Sequence, residues 1–138
     1  MATKPVFDRP YLLCGLAYGL LGMGLGIYMA ASQNHGQLVT HAHLLLVGFL
    51  LSILYAVIHR LWLDSPNRIV ALIQFIGHHV GTLMMVTGLF LLYGNHVPHD
   101  RLEPVLASAS IIVLVSLVLM TFMVAKAKST SMLADSPG

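Results

Sequence analysis

An all-α integral membrane protein, folded as a bundle of four transmembrane helices, is the class this sequence predicts, and three observations predict it. Of the 138 residues, 57% are hydrophobic and 9% charged, for a mean hydropathy of +0.84, more apolar surface than a water-soluble domain of this size has core to hide it in. Residues 11–29, 44–58, 69–92 and 106–124 contain no Asp, Glu, Lys or Arg, whereas each outer helix of a soluble bundle needs charges along its wet face. Turn-forming residues separate these stretches into spans of about 10–32, 38–63, 67–93 and 102–125, so residues 1–138 are expected to form a single transmembrane domain.

The first span could pass for a signal peptide, but it lacks a small-residue cleavage site before a soluble domain and reads as a retained helix. Its glycines Gly15, Gly19, Gly22 and Gly26 form small-xxx-small pairs, which let another helix approach closely. The second span ends at Asp64-Ser65-Pro66, where Ser65 is the expected N-cap of the third and Pro66 its first helical residue. Gly94-Asn95 closes the third span, and from Lys126 onward the chain reads as a frayed polar tail. Short connections make the topology up-down-up-down.

An even number of spans puts both termini on one side, together with Lys4, Arg9, Arg60, Arg68, Lys126 and Lys128, and leaves Arg101 on the other. The positive-inside rule then makes both termini cytoplasmic, with the bacterial inner membrane as the expected location. The formal charge of +2 comes from these scattered residues. No basic cluster is interleaved with aromatics, so nucleic acid is excluded as a partner. The single cysteine, Cys14, rules out an intrachain disulfide and a CxxCH attachment, and a bound haem would be non-covalent.

Histidine carries the chemical signal. Eight occur in a chain poor in charge, and His41, His43, His78 and His79 fall inside spans, where ionisable groups are functional candidates. In Thr40-His41-Ala42-His43-Leu44 the two imidazoles are separated by about 200° around a helix, so one helix could offer a ligand to each of two cofactors. Their depths differ by about 3 Å, which suits one iron held between neighbouring subunits. His79 is level with Leu50 near mid-membrane, about 10 Å deeper than His43, so these two are no easy axial pair within one chain. Met84 and Met85 are level with His43 and allow His/Met ligation as an alternative. His59, beside Arg60 and Trp62, reads as an interfacial anchor and a weaker ligand. His35, His96 and His99 lie in outer loops and read as solvated. Zinc lacks a cysteine pair or a compact three-ligand cluster, and the carboxylates Asp8, Asp64, Asp100, Glu103 and Asp135 all lie at helix ends or beyond.

These motifs resemble the catalytic subunit of the haem–copper oxidases and nitric oxide reductases. That subunit has three pseudo-repeats of four helices, with an H-x-H pair on a second helix serving two haems and a His-His copper pair on the third helix of its middle repeat. His41-Ala42-His43 and His78-His79 occupy the matching places of one repeat. The family's His-Pro-Glu-x-Tyr copper segment and its internal repetition are both missing. The resemblance implies haem b at His41 and His43, a second metal (copper) or haem at His78 and His79, and a homo-oligomer, a trimer restoring the three-repeat ring or else a dimer. The expected function is a b-type cytochrome for electron transfer or for O2 or NO chemistry, an oxidoreductase if it is an enzyme, with a redox partner the sequence does not name. The competing class is a non-catalytic accessory or structural subunit of a respiratory complex. A small transporter would want an inverted repeat or an intramembrane carboxylate, and the chain has neither.

Overall fold

The computed structural model describes residues 7–127; Lys4, Lys128, Asp135 and the tail beyond Ala127 lie outside them. Four helices, α1 (Asp8–Ser32), α2 (Leu38–Leu61), α3 (Arg68–Tyr93) and α4 (His99–Lys126), are each long and apolar enough to cross a membrane. Most of their large apolar side chains point outward, with Leu20, Leu21, Ile27, Leu46, Ile69 and Leu114 all more than half exposed. In a bilayer those faces meet acyl chains and incur no hydrophobic cost.

What lies inside is small or polar. Down α1, Gly15 faces Ser52 and Ile53, Gly19 faces Phe49, Gly22 faces Leu45 and Gly26 faces His41, so α2 runs antiparallel to α1 along the glycine stripe. A Cβ at Gly22 would stand 2.6 Å from Leu45, closer than two carbons can sit. The stripe therefore fixes the separation of the two helices. On the opposite side of this interface Gly48 of α2 admits the Tyr18 ring. The α3–α4 pair uses the same device: Gly77 lies against Ser116, Gly81 against Val113 and Gly88 against Leu106, again antiparallel. Ser52 against His78 and Gln37 against Phe90 align α2 antiparallel to α3. Phe7, Tyr11, Tyr55, Ala71, Met120 and Met123 build a core at the end where α1 begins, and Met85, Leu89 and Ala109 build a smaller one toward the other end.

Three local features depart from the sequence reading. The N-cap of α3 is Asn67, whose side chain accepts from the backbone N–H of Ile69 and Val70, and the helix starts at Arg68, two residues past Pro66. Asn competes with Ser as an N-cap, and its carbonyl reaches both orphan donors. The left-handed residue after α3 is Asn95, φ 57°, while Gly94 stays right-handed. Within α2, Leu44–Leu50 is wound as a π-helix, the i→i+5 form that recurs beside functional residues.

Because Gly48 would place a Cβ 2.8 Å from Tyr18 Cβ, Gly48→Val should lower resistance to SDS unfolding by about 1–3 kcal/mol. Gly24→Ala, whose Cβ meets nothing within 4 Å, should leave it unchanged. Equal losses at both positions would refute the close-approach account.

Candidate functional site

The intramembrane histidines form two tiers that differ in what their ring nitrogens meet. In the first, at the start of α2, His41 lies across α1. Gly26 makes the berth, since a Cβ there would come within 2.9 Å of the His41 ring. His41 Nδ1 donates to the Gly22 carbonyl at 2.8 Å, and His43 Nδ1 donates to the Val39 carbonyl at 2.8 Å. A carbonyl only accepts, so in both neutral rings the proton sits on Nδ1 and the lone pair on Nε2. Both residues are half-buried. Neither Nε2 has a hydrogen bond or belongs to the sealed, unpartnered atoms of the interior. Each Nε2 therefore offers its lone pair unbonded, the arrangement by which histidine presents itself to a metal while a carbonyl holds the other nitrogen.

The start of α2 is anchored independently. Thr40, buried, donates to Gln37 Oε1 at 2.7 Å, and Gln37 Nε2 donates to the Phe90 carbonyl at 3.0 Å, tying this end of α2 to α3. The rings are carried on a fixed turn.

The second tier lies deeper, among α1, α2 and α3. His78 is fully buried, with Nε2 2.8 Å from Ser52 Oγ, and His79 Nδ1 is 3.2 Å from Tyr18 Oη. Tyr11 Oη donates to Gln74 Oε1 at 2.5 Å. Aromatic rings surround these groups: His78 and His79 centroids are 5.0 Å apart, Tyr55 is 5.0 Å from His78, and Phe75 is 4.5 Å from His79. No three His, Cys, Asp or Glu side chains among the described residues converge on a point.

His59 is a correction. Expected as an interfacial anchor, it is fully buried between Phe7 and Tyr11, with ring centroids 5.8 and 5.7 Å away. The reason is helical phase: Ser52, Tyr55, Ala56 and His59 follow the i, i+3, i+4, i+7 pattern of one inward face. Arg60, one position further round, is exposed and reaches Asp8 at 3.5 Å. Met85 is buried with Leu89 and Ala109, and Met84 packs against that cluster. His35, His96 and His99 are exposed. Tyr11, Tyr18, Ser52, Tyr55 and Gln74 were not singled out from sequence, although the polar positions among Leu and Val at inward-facing spacing marked most of them.

Removing the Ser52 hydroxyl leaves both nitrogens of a fully buried ring without a partner. Ser52→Ala is therefore expected to destabilise the bundle by about 1–3 kcal/mol, measured by SDS or thermal unfolding in detergent. Ser108→Ala, which removes an exposed bond to the Pro104 carbonyl, should be silent. No family model, curated protein or solved structure matches the chain.

Proposed function

We propose that this chain is a haem b-binding membrane protein that transfers electrons, with His41 and His43 supplying the axial nitrogens. The observation that carries the reading is the pair of Nδ1–H bonds to backbone carbonyls, at 2.8 Å each, which leaves both Nε2 atoms free at the surface of one turn. Rings about 200° apart on a helix cannot serve one iron, so the partner ligand comes from a second copy. A groove of about 650 Å³ exists within one chain, but it lies among Trp62, Asn67 and Met123 and contains no histidine. An interface between copies, a trimer or a dimer, is the better home. When bound, the haem would supply one-electron redox chemistry, its potential tuned by the axial rings and the apolar shell. The chain's part is to fix ring orientation through Gly22, Gly26 and Val39 and to exclude water.

A haem held by both His41 and His43 would supply electron transfer and not gas binding. His41→Ala and His43→Ala are each expected to abolish the low-spin signal in an oxidised-minus-reduced spectrum and to loosen the oligomer together. Gly26→Val, which keeps both histidines but fills the His41 berth, should shift or remove the same signal. Loss of haem in His43→Ala with an unchanged spectrum in His41→Ala would replace the intersubunit pair by His43 with Met84 or Met85.

A second reading, an accessory subunit of a respiratory complex, is favoured by one observation: each of the four predicted histidines already makes a hydrogen bond within the chain. Purified protein without haem would decide for it. For orientation, Arg9, Arg60, Arg68 and Lys126 lie at one end of the bundle and Arg101 at the other, which supports cytoplasmic termini in a bacterial inner membrane. Fusions at Gly138 should then be active as cytoplasmic reporters, and activity of a periplasmic reporter there would reverse the assignment.

A further inference from the structure

Six buried side-chain atoms among the described residues have no hydrogen-bond partner: Tyr55 Oη, both ring nitrogens of His59, Gln74 Nε2, His78 Nδ1 and His79 Nε2. Native interiors seldom strand even one such atom, and in a membrane-spanning bundle no bulk water can relieve it. These six are not scattered. They belong to one continuous stack in which Tyr11 touches Tyr55, His59, Phe75, His78 and His79. Their chemistry is mixed: a phenol donates and accepts, the amide nitrogen donates, and each neutral imidazole has one donor and one acceptor nitrogen. Among the described residues no three His, Cys, Asp or Glu side chains converge on a point. Water, which takes about three partners from any direction, fits the set, and six atoms correspond to on the order of two molecules.

We infer that this Tyr–Gln–His cluster is an internal water site that gives protons access from the end of the bundle holding Asp8 and Arg60 to His79 and Tyr18 in its middle. The entrance follows from position. His59 is two residues from the end of α2, and a groove of about 290 Å³ lined by Asp8, Arg9, Leu12, Ala56, Val57 and Arg60 opens beside it. From His59 the residues in ring contact run through Tyr11, which also bonds Gln74, to Tyr55, His78 and His79, with Ser52 bonded to His78 and Tyr18 to His79. Each His or Tyr along it takes a proton on one nitrogen or oxygen as it releases one from another, water carries the proton past Gln74, whose amide nitrogen only donates, and protons leave by the same side, so nothing accumulates on the chain. The inward continuation stops there: beyond Tyr18 the α1–α2 contact is made by Gly22 against Leu44 and Leu45. The path is therefore open to one side only.

The test is NMR of the full chain in nanodiscs with 15N-labelled histidine, each ring assigned separately, reading magnetisation transfer from water. The His59 and His78 rings should exchange with water at least about tenfold faster than the backbone amides of the same residues, whose exchange needs helix opening. Exchange no faster than those amides would overturn the inference. His59→Phe keeps a ring at the entrance but removes both nitrogens, and should slow exchange at His78 and His79 while leaving exposed His96 unchanged. An unaltered rate at His78 in that variant would overturn the entry route, and the measurement on the native chain holds whether or not the variant folds.

Discussion

The close approach of α1 to α2 is the constraint on which the rest depends. Lipid offers no hydrophobic force to drive two apolar helices together, so their association rests on packing and on the few polar bonds that short range permits. Gly15, Gly19, Gly22 and Gly26 supply that range by leaving backbone where other residues would have side chains. With α2 this near, the His41 ring reaches the Gly22 carbonyl and Tyr18 enters the space over Gly48. A helix held one side chain further away would strand each of these groups in hydrocarbon.

The polar interior is thus both the consequence of tight packing and a reason for it. Ser52, Gln74, His78, Thr82 and Ser116 are buried within helices whose outer faces are Leu, Ile and Val. Two of the hydroxyls spend their donor on their own helix, Thr82 on the His78 carbonyl and Ser116 on the Ile112 carbonyl. Ser52 does not, and so remains available to the ring across the interface. Small residues on α3 and α4 repeat the pattern with Gly77, Gly81 and Gly88, but there the facing groups are Val113, Leu106 and a self-satisfied serine. Polar chemistry concentrates in the first three helices, and α4 closes the bundle with methionine and alanine.

How much of this could be read from the sequence depends on the range of the interaction. The four helices follow from charge-free apolar runs, and the α1 contact face follows from the glycine spacing, because hydropathy and small-residue period are local quantities. A short antiparallel connection fixes relative depth by counting, which sets His79 level with Leu50 and His78 with Leu51; the structure bonds His78 to Ser52, one residue from that count. The N-cap went to Asn67 because two adjacent candidates, Ser65 and Asn67, differ only in what their side chains reach. The neighbours Arg60 and Trp62 point His59 to the interface, whereas its phase with Ser52 and Tyr55 turns it inward. The π-helical segment Leu44–Leu50 has no signature in Leu-Leu-Leu-Val-Gly-Phe-Leu; its residues pack against Gly19, Gly22 and Tyr18 of α1.

Hydrogen-bond partners lie furthest from the sequence, and they divide the histidines into two kinds. Each intramembrane ring in the two tiers commits one nitrogen to the chain, so the residue type alone says nothing about what the other can do. At His41 and His43 the committed atom is Nδ1 and the partner a carbonyl, which fixes the tautomer and turns a lone pair toward the surface of the bundle. At His78 and His79 the partners are hydroxyls, which accept either tautomer and leave the proton free to reside on whichever nitrogen its neighbours favour. The first tier holds each ring by a backbone carbonyl at Nδ1 and leaves Nε2 without a hydrogen bond. The second is enclosed by Tyr11, Tyr55 and Phe75. The first tier lies at the glycine-spaced α1–α2 interface and the second among α1, α2 and α3, and the nature of the bonding partner, backbone in one and hydroxyl in the other, separates the two.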